Sequence, residues 1–124
     1  MEFVNFEIGV DAEEIKRFCK YTSNPEDAFI KRIYTPKEIE YCFKDNHVAA
    51  HLAARFCAKE AAYKAFSALG VKGVQLIDIE IQNHETGAPF INILPDELKS
   101  YKAKLSLSHS RNYALASVVV FQLK

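Results

Sequence analysis

No stretch of the 124-residue sequence approaches the ~20 consecutive apolar residues a membrane-crossing helix needs. The N-terminal Met1-Glu2-Phe3-Val4-Asn5-Phe6-Glu7 shows neither the basic region nor the apolar core of a secretory leader. Net charge is absent as well: 16 Lys and Arg balance 16 Asp and Glu. No global field therefore steers the chain to nucleic acid, a membrane surface or an acidic partner, and electrostatic recognition must come from local clusters. The three cysteines, Cys19, Cys42 and Cys57, are odd in number, widely spaced and form no CxxC pair. They are expected as small buried or half-buried residues in a reducing, cytoplasmic setting. No repeat, low-complexity tract or linker divides the sequence, so one domain over residues 1–124 is expected.

What is present is ordinary in bulk, with 49% apolar and 26% charged residues, a soluble globular balance. The informative stretch lies where Pro and Gly are missing, from Asn46 to Leu69. Alanine dominates it, Asn46 can cap its start and Gly70 can take the left-handed position after its end, so one long helix is expected. On its wheel Leu52, Phe56, Tyr63 and Phe66 form an apolar stripe, with Lys59 inside it and Glu60 on its edge. Glu60 and Lys64 stand four apart: they form a surface pair, or both reach a shared ligand. Lys59 either runs along the stripe to solvent or marks a site partly shielded from water.

Around this helix, alternation over Val4–Val10 gives a strand with Val4, Phe6, Ile8 and Val10 on one side and Asn5, Glu7 and Gly9 on the other. Asp11 follows on the Glu7 side and reads first as the cap of a helix beginning at Ala12. Ser23-Asn24-Pro25 opens a second helix to about Ile33, and Thr35-Pro36-Lys37-Glu38 is a capping box opening a third through Phe43. Ile77–Ile81 and Phe90–Leu94 are strands around the turn 83–89, and Pro95 to about Ala103 is a short helix. Leu105–Ser108 and Tyr113–Leu123 are two further strands. The last is apolar on both faces, as a central or interface strand is. The class is α+β: a small antiparallel sheet packed on one long helix, with short helices beside it.

Three stretches stand together: Ile8-Gly9-Val10-Asp11 leading to Glu14-Ile15-Lys16-Arg17, then Arg55-Phe56-Cys57-Ala58-Lys59-Glu60-Ala61 with Lys64-Ala65, and finally Leu107-Ser108-His109-Ser110 before Tyr113-Ala114. In this order and spacing the chain resembles the short 4′-phosphopantetheinyl transferases, the holo-[acyl-carrier-protein] synthase family, over essentially its whole length. The resemblance implies transfer of 4′-phosphopantetheine from coenzyme A to a serine of an apo acyl carrier protein, with release of adenosine 3′,5′-bisphosphate. It implies Mg²⁺ dependence and a homotrimer with sites between subunits. By motif, Asp11 and Glu60 are the expected Mg²⁺ ligands, and Glu60 and Lys64 the catalytic pair. Arg55, Lys59, Lys64 and His109 are expected to contact coenzyme A, with Gly87 and Pro89 in the turn that approaches the nucleotide. Arg17 is expected to meet the acidic carrier protein. The chain departs from the family pattern in segment 67–73, where the glycines of the usual Gly-rich turn are displaced to Gly70 and Gly73, and at Ala88, where a lysine is usual. A trimeric module that binds coenzyme A or a carrier protein without transfer is the competing reading.

Overall fold

In the computed structural model, residues 3–123 are described, with side chains from Asn5 onward; the expected facing of Val4 and the reading of Met1-Glu2 lie outside the described residues. Strand β1 (Phe3–Glu14) pairs antiparallel with β5 (Tyr113–Leu123), and β5 pairs with β4 (Tyr101–His109), giving the order β1-β5-β4. β2 (Ile79–Asn83) and β3 (Pro89–Ile93) form a separate hairpin. Helices α1 (Ala28–Ile33) and α2 (Pro36–Cys42) precede the long α3 (Val48–Ala68). The α+β expectation therefore holds, with α3 laid across the three-stranded sheet.

The alanine content of α3 explains how closely it lies on the sheet. Ala53, Ala58, Ala61, Ala62 and Ala65 are all fully buried. Opposite them, β1 presents Gly9: a Cβ built there would stand 1.8 Å from the carbonyl oxygen of Ala61. Small side chains on both elements thus bring backbone against backbone, a fit that only glycine allows at that strand position. From β5, Ala114, Ala116, Val118 and Val120 complete this inner face. Leu52 and Phe66 of the expected stripe are buried, but Tyr63 is 44% exposed, because the buried face of α3 follows its alanines more than its large residues.

Several boundaries move, and each move has a cause. β1 does not stop before Asp11: it stays paired with β5 through Glu14 opposite Tyr113. Asp11 is thus a strand residue and caps no helix. Ladder hydrogen bonds from 100 residues away override the local capping preference of Asp. The following segment, Ile15–Tyr21, is a 3-10 helix. α1 starts later than expected, capped by Asp27, whose side chain accepts from the Phe29 amide at 2.8 Å; Asn24 instead closes a turn by accepting from the Glu26 amide. His47, and not Asn46, occupies the cap position of α3. Leu76–Asp78 is a 3-10 turn before β2, and the short helix after Pro95 is reduced to Asp96–Leu98, because β4 begins at Tyr101.

Other local readings agree with the structure. Thr35 and Glu38 form the expected capping box of α2. Gly70 has φ +81°, and the bonds from Val71 N–H to the Phe66 carbonyl and from Gly70 N–H to the Ser67 carbonyl close α3 in a Schellman arrangement.

Candidate active site

The register of β1 decides which residues face α3. Gly9 and Glu13 are buried inward, whereas Phe6, Ile8 and Val10 are 61%, 65% and 56% exposed on the outer face. Asp11 therefore points toward the helix. There Lys64 Nζ donates to Asp11 Oδ1 at 2.9 Å and to the Val10 carbonyl at 3.1 Å. Glu60 stands one turn before Lys64 on the same face of α3, so the structure brings Asp11, Glu60 and Lys64 together. Burial and the charge of Asp11 push the Glu60 carboxyl above its ordinary range, against the pull of Lys64 and Arg17. The hydrogen bond and charge of Asp11 raise the Lys64 ammonium.

Two residues missed by sequence reasoning belong to this place. Glu13 is 8% exposed and its carboxyl is pushed up to about 7, mainly by burial and then by its approach to Asp11. Its salt bridge with Arg17 opposes the rise. The signal was available: the alternation Glu7, Gly9, Asp11 extends to Glu13 once the strand is allowed to continue. Cys57, buried on α3, has its thiol 3.1 Å from the Asp11 carbonyl and 3.5 Å from that of Ala114, pinning the helix to both strands.

Asp11 Oδ2 is buried with no hydrogen-bond partner among the described residues. An orphaned carboxylate oxygen beside a second carboxyl suits a cation. Among the described residues no three His, Cys, Asp or Glu side chains form a metal-holding group. Asp11 and Glu60 are the two carboxylates that would hold a hard cation there; Mg²⁺ usually takes only one or two carboxylates and fills its octahedron with water and phosphate oxygens.

The other expected site residues are distributed differently. Lys59 is a correction. It is fully buried, its ammonium 2.7 Å from Glu38 Oε1 and within hydrogen-bond distance of the Ile79 and Leu76 carbonyls at 2.6 and 3.0 Å. Its three donors are spent inside the protein, so it joins α3 to α2 and β2 and offers nothing to a ligand. Burial lowers its pKa against the opposing pull of Glu38. Arg55 is 3% exposed, stacked 3.7 Å from the centre of the Tyr41 ring and hydrogen-bonded to Asn83. Gly87, at φ +92°, forms the exposed tip of the β2–β3 turn, and Pro89 begins β3.

His109 ends β4, exposed, in the row that runs through Ala114 to Glu13. It stands two strands, about 10 Å, from β1, and the fold does not bring it to Asp11. Arg17 is exposed on the 3-10 segment together with Lys16 and Lys20. The cysteines are free thiols, and no described helix is long and apolar enough to cross a membrane.

Comparison with known proteins places this geometry. Residues 7–118 match the family model of the 4′-phosphopantetheinyl transferase superfamily. The chain is 38% identical over 118 residues to the holo-[acyl-carrier-protein] synthase of Geotalea daltonii, covering 90% of this chain and 94% of that one. It is 37% identical over 123 residues to that of Syntrophus aciditrophicus, covering 94% and 95%. Among solved structures, it is similar to the holo-(acyl-carrier-protein) synthase from Bacillus anthracis in complex with coenzyme A (3′,5′-ADP). That similarity has a TM-score of 0.76 and 31% identity over 94% of this chain and 96% of that one. With Asp11, Glu60 and Lys64 gathered where strand meets helix and the match spanning nearly every element, the chain belongs to the 4′-phosphopantetheinyl transferase superfamily.

Proposed function

We propose that the protein is a holo-[acyl-carrier-protein] synthase: it transfers 4′-phosphopantetheine from coenzyme A to a serine hydroxyl of an apo acyl carrier protein and releases adenosine 3′,5′-bisphosphate. The observation that carries the reading is the Asp11–Glu60–Lys64 set, with a buried Asp11 oxygen that has no hydrogen-bond partner among the described residues, in a chain of this family. A module that only binds has little need for that pair of carboxylates.

Phosphoryl transfer asks a site to hold negative charge and to aim the nucleophile in line. Asp11 and Glu60 would hold Mg²⁺, which when bound neutralises phosphate charge. Lys64 is half-exposed and reaches Asp11 through a flexible stem. It can turn from Asp11 to a phosphate oxygen and stabilise the leaving bisphosphate. The Glu60 carboxylate, or a water beside it, would take the serine proton as the serine oxygen bonds to phosphorus and the phosphorus–oxygen bond to the bisphosphate breaks. The exposed cations Lys16, Arg17 and Lys20 offer a surface for an acidic carrier protein.

The outer face of the sheet supports a homotrimer. Phe6, Ile8 and Val10 of β1, with Tyr113 and Leu115 of β5 at 48% and 44% exposure, make a contiguous apolar surface that a lone chain leaves in water. A neighbouring copy seated there could supply the His109 that this chain does not bring to its own Asp11. A cytoplasmic setting, where coenzyme A and reduced thiols coexist, completes the reading. The test is a mass spectrum of apo carrier proteins after incubation with the protein, coenzyme A and Mg²⁺. A carrier that gains the mass of one phosphopantetheine arm supports it. Coenzyme A binding without any modified carrier, from folded protein, favours the binding module instead.

A further inference from the structure

The β2–β3 turn is tied to α3 through one side chain that neither motif nor spacing singles out. Arg55 Nη2 donates to Asn83 Oδ1, and Asn83 Nδ2 donates to the Gly87 carbonyl at 2.8 Å. The turn is closed by Gly87 N–H to the His84 carbonyl and His84 N–H to the Ala88 carbonyl, both 2.8 Å. Behind Arg55, the Tyr41 ring lies 3.7 Å from the guanidinium carbon. No described salt bridge involves Arg55, and its Nε is buried without a described hydrogen-bond partner.

A buried cation held by a ring face and a neutral amide is costly to maintain, and here it ends on the turn. Asparagine is suited to the middle of this relay because it accepts with one amide atom and donates with the other; aspartate would keep the first link and lose the second. Arg55 itself is only 3% exposed, so little of it can touch a ligand.

We propose that Asn83 is a positioning residue for coenzyme A: with Arg55 and Tyr41 it fixes the 84–88 turn relative to the helix that carries Glu60 and Lys64. This rests on the transferase reading above and on the family resemblance, which implies that the turn of Gly87 and Pro89 approaches the nucleotide. Coenzyme A is long, and on this reading its adenosine would meet the turn while its reacting phosphorus meets Asp11, Glu60 and Lys64. A turn free to swing must be ordered at each binding event, which weakens binding, whereas Glu60 and Lys64, rooted in α3, keep their own geometry. The relay therefore acts on KM for coenzyme A and leaves kcat in place. On this account Arg55 works through Asn83.

Steady-state kinetics on one apo carrier protein test this, with coenzyme A and with 3′-dephospho-coenzyme A as donors. The variants are Asn83→Ala, Asn83→Asp, Arg55→Ala and the Arg55→Ala/Asn83→Ala double. Asn83→Ala is expected to raise KM for either donor roughly tenfold, the scale of one charge-assisted hydrogen bond, and Asn83→Asp, which loses only the neutral bond to Gly87, roughly fivefold, each with kcat within about twofold. The double variant is expected to be no worse than the worse single one, since both changes cut the same relay.

Unchanged KM in both Asn83 variants overturns the inference. So does an Arg55→Ala effect that disappears with 3′-dephospho-coenzyme A and adds in full to Asn83→Ala, which would make Arg55 a direct phosphate contact. Should Arg55→Ala fail to fold, the two Asn83 variants decide alone. An inactive wild-type protein overturns the transferase reading itself, and this inference with it.

Discussion

Replacing Lys59 by methionine separates a structural lysine from a ligand-binding one. Methionine keeps most of the stem and deletes the charge. The loss leaves Glu38 fully buried as a carboxylate, with only the Thr35 and Ile81 amides, at 2.8 Å each, to satisfy it. It also leaves the Leu76 and Ile79 carbonyls without the ammonium that lies 3.0 and 2.6 Å from them. Breaking a buried ion pair by removing one partner costs about 3–5 kcal/mol, a large share of the roughly 5–15 kcal/mol that stabilises a domain. With a urea slope of about 2 kcal/mol/M, the unfolding midpoint should fall by roughly 1.5–2.5 M. Adding Glu38→Gln should recover part of the loss: no buried charge remains, and the amide oxygen still accepts one of the two backbone donors. Among molecules that remain folded, KM for coenzyme A should equal that of the wild type. A midpoint that stays in place while KM rises would refute the reasoning and return Lys59 to the ligand.

Three further expectations follow from the same geometry. Gly9→Ala forces β1 away from Ala61; overpacking of this kind costs about 1–3 kcal/mol, and because Asp11 moves with the strand, transfer should fall more than thermal stability does. Lys64→Ala removes a pair whose lysine is half in water, so stability should change by no more than ~1 kcal/mol, while the transfer rate should fall about a hundredfold or more, read by the carrier mass assay. The third concerns pH. His51 has its pKa lowered, first by burial and then by the Lys44 and Arg55 charges, with Asp45 opposing. The unfolded state therefore takes up the proton more readily, and the stability this histidine contributes is present above its ordinary pKa of about 6.5 and lost as pH falls below it. His51→Asn should flatten the dependence of the urea midpoint on pH between 6.5 and 5, and an unchanged slope would remove His51 as its source.

Much of the fold was legible because its signals are local. Thr35 to Glu38 carries its own cap, Gly70 its own left-handed stop, and Tyr113–Leu123 reads as one uninterrupted strand. What was not legible depends on partners distant in sequence. Asp11 has the composition of a cap, yet it is a strand residue because β5 supplies ladder bonds as far as Glu14. Lys59 in an apolar stripe announces an unusual site, but whether it serves a ligand or an internal acid depends on Glu38, 21 residues earlier, which a sequence shows only as the last residue of a capping box. Arg55 and Asn83 meet only because the hairpin folds over α2 and α3. In the candidate site, the family motif anticipated the meeting of Asp11 with Glu60 and Lys64, while Glu13 was hidden by ending β1 too early.

The central claim is that Asp11 and Glu60 jointly support transfer to the carrier serine. Time courses of carrier modification, with Mg²⁺, with EDTA and with Mg²⁺ restored, for the wild type, Asp11→Asn and Glu60→Gln, test it most directly. The account predicts loss of transfer in EDTA, recovery on adding Mg²⁺, and rates at least about a hundredfold lower in both variants, with urea midpoints showing both to be folded. Wild-type rates in either folded variant, or transfer that persists in EDTA, would contradict it.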